Sequence, residues 1–146
     1  MGAVVAPASI DSMGDHKGYL LDTHTFLWAI KGSERLGSIA RLIIESTESV
    51  LYLSSISAFE VVNKYRVAKL DPTYEVVVEN YTQYARRLGV KDLPLSLAHA
   101  YLAGSMEWGH LDPFDRLIVA QASLENLAVI TNDVQIQTHP WIDTVW

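Results

Sequence analysis

Cysteine is absent from this chain. Its absence excludes a disulfide scaffold and any thiolate metal site, and fits a reducing cytosol. No apolar stretch reaches the roughly 18 residues needed to span a bilayer, and no positive n-region precedes an apolar h-region. The reading is therefore of a soluble, cytoplasmic protein with no membrane partner. Positive charge is also scarce, with 11 basic residues against 17 acidic ones and a net charge of −6. A protein that grips nucleic acid by bulk electrostatics has the opposite balance, so any grip on a polyanion must be local. There is no G-x-S-x-G elbow, no glycine-rich phosphate loop and no H-E-x-x-H pair. His24, His99, His110 and His139 lack the short paired spacing of a zinc site, although His110 and Asp112 form a conceivable ligand pair. What is present is 146 residues, enough for one domain with a sizeable core.

Residues 1–18 mix small residues, glycine and isolated charges without a sustained period, and are expected to be a flexible leader, natural or a remnant of expression. Over residues 19–146 the pattern alternates short apolar runs with segments of helical period. Strands are expected at 19–21, 49–54, 127–131 and 144–146, with a weaker one at 90–95 that Pro94 interrupts. Helices are expected at 23–30, 39–45, 57–69, from Pro72 to about Leu88, at 97–106 and at 113–124. Ser57 and Glu60 match a capping box, with Phe59, Val62 and Tyr65 as a buried stripe. Asp71–Pro72 and Asp112–Pro113 each read as cap and first turn. Such alternation predicts an α/β domain, a small, mostly parallel sheet with helices on both faces.

Four acids stand where strands hand over to helices or loops: Asp22, Glu60, Asp115 and Asp133. A parallel sheet gathers the carboxyl ends of its strands on one edge, so these side chains can meet in one crevice. Two carboxylates roughly 5 Å apart, at an effective dielectric of 20, repel by about 3 kcal/mol, so a shared pocket calls for protons or cations. Hard oxygen ligands without cysteine point to Mg²⁺ or Mn²⁺, ions that serve phosphate chemistry. The bland readings are that Glu60 only closes its capping box, that Asp112 and Asp115 serve a helix start, and that Asp133 makes an Asx-turn. Asp22 is harder to explain that way, since a carboxylate directly after an apolar strand is costly unless bonded or metal-bound.

The strings LLDTHTFLWA, SAFEVVNKYRVAKL, HLDPFDRLIVAQA and VITND, in this order and spacing, resemble the PIN domain family, and within it the VapC-type toxin ribonucleases. The resemblance covers residues 19–146. It implies a PIN-like (Rossmann-like) fold and a metal-dependent endoribonuclease, usually a homodimer, neutralised by a cognate antitoxin. It also implies that Asp22, Glu60, Asp115 and Asp133 hold Mg²⁺ or Mn²⁺ and carry out hydrolysis of RNA. Thr23, Thr131, Asn132 and Asp112 would support that site, and Arg116 and Lys64 would bind flanking phosphates. Tyr65, Trp108 and Phe114 are candidates for stacking on unpaired bases, with core packing the alternative. Two further functions are open at this stage: a catalytically silent PIN-fold binding module, and a Mg²⁺-dependent phosphoryl-acceptor α/β domain. The second lacks its D-x-D signature, because Thr23 and His24 follow Asp22.

Overall fold

The computed structural model describes residues 15–146. The expected leader lies, over residues 1–14, outside the described residues. His16 bonds Asp143 at 2.7 Å, and Gly18 opens the first strand. Five parallel strands, β1 (Gly18–Leu21), β2 (Leu51–Ser54), β3 (Val90–Leu93), β4 (Leu127–Ile130) and β5 (Thr144–Val145), form one sheet in the order β3-β2-β1-β4-β5. β1 is central, pairing Tyr19 with Leu51 on one side and with Ala128 on the other. The chain leaves β1 towards β2 and leaves β4 towards β5. That reversal makes the β1/β4 junction the topological switch point, where the carboxyl ends of parallel strands open a crevice.

Alternation along the strands divides the core into two layers. Leu20 and Val129 face one way, into a cluster with Ile118, Val119 and Ala122 of α7 (Pro113–Glu125) and Ala103 of α6 (Leu97–Ser105). Leu21 and Ile130 face the other way, packing with Phe26 and Leu27 of α1 (Thr23–Lys31), Ala40 of α2 (Ser38–Glu45) and Val61 of α3 (Ser55–Arg66). Phe26 is fully buried, a contribution of roughly 1.5–3 kcal/mol for one side chain.

Three expectations are corrected by the structure. First, α3 starts at Ser55, capped by the Ser54 hydroxyl accepting from Ile56 N, so Ser57 and Glu60 form no capping box. Second, the face of α3 turned inward carries Ser57, Glu60 and Val61, whereas Phe59 and Val62 are exposed. Third, the single helix expected up to Leu88 is divided into a 3₁₀ turn (Pro72–Tyr74), α4 (Glu75–Glu79) and α5 (Tyr81–Leu88). At the break, the Asn80 side chain donates to the Val76 carbonyl at 3.0 Å. Asn there competes with the backbone for that carbonyl, and α4 carries three consecutive β-branched valines. A short α8 (Val134–Gln137), capped by Asp133, was not expected.

Gly37 caps α2 against the end of the sheet. A Cβ added there would lie 2.5 Å from the Trp146 carbonyl oxygen, which accepts from Ile39 N and Ala40 N. Gly37→Ala is therefore expected to lower the melting temperature, with a loss of about 1–3 kcal/mol measurable by urea denaturation.

Candidate active site

The cleft at the switch point is built by residues that cap helices as well as line the site. Asp22 follows β1 and caps α1, its Oδ1 accepting from Thr25 N at 2.8 Å. Its Oδ2 accepts from the Thr131 hydroxyl, one residue past β4. Thr131 Oγ1 also accepts from Asp133 N at 3.0 Å, and Asp133 Oδ1 caps α8 through Gln135 N at 2.8 Å. One threonine thus ties together the two acids that follow neighbouring strands.

Glu60 is reached from the other side. Thr23 Oγ1 donates to Glu60 Oε1 at 2.7 Å and lies 3.0 Å from Ser57 Oγ, while Lys64 Nζ donates to Glu60 Oε2 at 2.7 Å. On α7, Asp112 Oδ1 accepts from Phe114 N at 2.9 Å, as its N-cap reading requires. Asp115 stands one turn inside, with His110 Nε2 at 2.6 Å from its Oδ2. Asp22, Thr23, His24, Glu60, Lys64, Asp112, Asp115, Ile118 and Asp133 line one cavity of about 90 Å³. All four acids expected from the sequence meet there, and Asp112 caps its helix and lines the cleft at once.

The electrostatics are those of crowded anions. Asp22 is buried, and loss of solvent raises its pKa above the usual carboxylate value despite the bonds from Thr131 and Thr25 that lower it. Asp115 is pushed up to about 6, first by burial, with the fields of Asp112 and Asp133 adding to it and the His110 hydrogen bond opposing. A folded-state pKa above the unfolded one means that the folded protein holds the proton more tightly. In the cation-free protein the stability contributed by Asp115 is thus expected to be fully present below about pH 4 and lost as pH rises through about 6. Melting curves with chelator should show Asp115→Asn gaining on the wild type across that window. A gain independent of pH would contradict the shift.

A divalent cation would relieve this crowding, and the donors present, carboxylate oxygens with the imidazoles of His24 and His110 beside them, fit such an ion. Among the described residues, His110, Asp112 and Asp115 bring one ligand atom each within 4.8 Å of one another.

Two expected site residues are placed elsewhere. Arg116 does not face the cleft: its guanidinium donates to the carbonyls of Ala103 (2.9 Å), Met106 (2.6 Å), Trp108 (2.7 Å) and His110 (3.0 Å). Those four carbonyls consume the donors that a phosphate would need. Asn132 is exposed and does not line the cavity. Of the candidate stacking residues, Trp108 packs against the core, Phe114 lies against Phe59 at 6.1 Å, and Tyr65 donates to Glu75. His24 and His110 also belong to the cleft environment: His24 lines the cavity, and His110, which the sequence offered with Asp112 as a conceivable ligand pair, meets Asp115. The signal for His110 was its place five residues before Asp115, across the α7 cap.

Residues 19–141 match the PIN domain family. A search of curated proteins finds no match. Among solved structures, the chain is similar to one in VapBC2 from Rickettsia felis bound to a DNA fragment from its promoter, at 20% identity and a TM-score of 0.61 over 87% of this chain and 96% of that one. A toxin–antitoxin complex from Klebsiella pneumoniae matches at 20% identity and 0.61, over 88% and 97% of the two chains. FitAcB from Neisseria gonorrhoeae matches at 19% identity and 0.58, over 88% and 96%. At such identities the likeness speaks for the fold. With the family match spanning most of the described residues and the parallel sheet gathering four acids at its switch point, the chain belongs to the PIN domain family.

Proposed function

We propose that this protein is a Mg²⁺- or Mn²⁺-dependent endoribonuclease acting in the cytoplasm as the toxin of a toxin–antitoxin pair. The observation that carries the reading is the convergence of Asp22, Glu60, Asp115 and Asp133 on one small cavity, with burial working against ionisation of Asp22 and Asp115. Those four acids would hold the cation. When bound, it supplies positive charge at a phosphate and makes water easier to deprotonate.

The chain's own residues set the geometry. Thr131 and the Thr25 amide fix Asp22, while Thr23 and Lys64 fix the two oxygens of Glu60. The Lys64 ammonium, bonded to Glu60 and partly exposed at the cleft edge, has further donors to offer a flanking phosphate.

The Klebsiella pneumoniae structure is a toxin–antitoxin complex, which supports a cognate antitoxin as partner here. Leu97 and Tyr101, one turn apart on α6, and Phe59 on α3 are exposed, which supports assembly as a homodimer. The test is incubation of purified, antitoxin-free protein with total RNA and Mg²⁺ or Mn²⁺, with chelator as control. Cation-dependent cleavage is expected, and RNA left whole but retained by the protein would favour a silent binding module.

A further inference from the structure

We propose that His110 is a direct nitrogen ligand, forming with Asp112 and Asp115 a mixed nitrogen–oxygen position for a borderline divalent cation at the rim of the cleft. The proposal rests on the metal-dependent reading above and goes beyond an all-carboxylate centre. The ligand atoms of these three residues lie within 4.8 Å of one another. Two neighbouring ligands of one ion with bonds of about 2.1 Å stand about 3 Å apart and opposite ones about 4.2 Å, so His110 and Asp115, at 2.6 Å, need to part by only a few tenths of an ångström to serve as neighbouring ligands.

The histidine is held for this position. The Arg116 guanidinium fixes its carbonyl at 3.0 Å and those of Met106 and Trp108 just before it, so the loop entering the cleft is stapled to α7. The Trp108 ring lies 5.0 Å from the imidazole and is itself met edge-on by His139 at 4.7 Å. With backbone and ring thus restrained, Nε2 points at Asp115 Oδ2 across 2.6 Å. The two atoms share a hydrogen bond, and holding a cation would require them to part and give up the shared proton to solvent. Asp112 spends Oδ1 on the α7 cap and keeps Oδ2 for the ion.

Nitrogen in the set changes which ion is preferred. All-oxygen sites suit Mg²⁺, whereas an imidazole suits later first-row ions such as Fe²⁺, Ni²⁺ and Zn²⁺; Mn²⁺, at the start of that series, still gains more from a nitrogen ligand than Mg²⁺ does. Asp22, Glu60 and Asp133 offer only oxygen, and His24 also lines the cavity, but among the described residues it is His110 whose ring nitrogen lies within 4.8 Å of ligand atoms of two acids, Asp112 and Asp115.

The experiment is pulsed electron paramagnetic resonance on the full chain loaded with Mn²⁺ alone, with calorimetric titrations of Mn²⁺ and Mg²⁺ beside it. Wild type is expected to show coupling of Mn²⁺ to an imidazole nitrogen. His110→Gln should lose that coupling and about tenfold or more of its Mn²⁺ affinity, with Mg²⁺ affinity much less affected. Should that variant fail to fold, His24→Gln decides between the two imidazoles near the cleft: it is expected to keep the nitrogen coupling, and loss of the coupling there overturns the proposal. Mn²⁺ bound without nitrogen coupling overturns the proposal and leaves the metal-dependent nuclease standing. Coupling that survives in a folded His110→Gln also overturns it, by assigning the nitrogen to another histidine. Absence of any Mn²⁺ binding overturns both readings.

Discussion

Asp22→Asn is expected to reduce RNA cleavage by about 10³-fold or more and, in the same protein, to raise the melting temperature without added cation. The two effects have one origin. Cation-borne charge stabilisation is worth several kcal/mol at the transition state, and each 1.36 kcal/mol is a factor of ten in rate, so removing the central ligand is severe. Yet Asp22 is a buried carboxylate whose pKa is raised by desolvation, and a neutral amide relieves that penalty. Asn preserves the cap, because its carbonyl oxygen accepts from Thr25 N as Oδ1 does, and the Thr131 hydroxyl can turn to accept from the new amide. Cleavage assays with Mg²⁺ or Mn²⁺ and melting curves in chelator measure the two arms. Cleavage at the wild-type rate would remove Asp22 from the chemistry. A lost activity with a lowered melting temperature would mean damage to the fold instead.

Arg116→Met is expected to destabilise the protein by about 3 kcal/mol, although nothing at this position touches the proposed substrate. Hydrogen bonds involving a charged partner contribute about 1.5–3 kcal/mol each, and a buried acceptor left alone costs a further 1–3 kcal/mol. Four carbonyls lose their donor together. The loop can relax towards water, so the sum is well below four separate losses. Arg116→Lys recovers little, since an ammonium is a point charge without the planar fork that spans these carbonyls. Urea denaturation gives the magnitude. A variant as stable as wild type that binds RNA poorly would restore the phosphate-binding role the sequence suggested.

That contrast shows which parts of the site were legible. Asp22, Asp115 and Asp133 could be read because each sits at a chain-direction change, after β1, at the opening of α7 and after β4, where a parallel sheet forces convergence. Glu60 was identified as a site acid, but its local reading was wrong: its partners are Thr23 and Lys64 rather than the α3 terminus. Spacing gives the helix face of a residue and says nothing about which distant carbonyls a long side chain will find. For that reason Arg116, adjoining Asp115, looked like a phosphate ligand until α6 and its following loop were in place. The same gap hid the His110–Asp115 contact. In the fold, parallel pairing and the two-faced packing followed from alternation and connection length, whereas the strand order was not read from the sequence. The break at Asn80 did not, because a single side-chain bond to Val76 decided it within a segment of unbroken helical period.

The pairing of Gly18 with Leu127 joins segments separated by nearly the whole described chain. During synthesis the ribosome releases β1, β2 and β3 well before β4, and contacts of such sequence separation are slow to close. Asp22 and Glu60 emerge first, Asp115 and Asp133 last. A partly translated polypeptide therefore carries only half of the acidic set and no neighbour for the far edge of β1. Whatever chemistry the cleft performs therefore waits on the final strands, and the growing chain passes most of its synthesis with the acidic set incomplete.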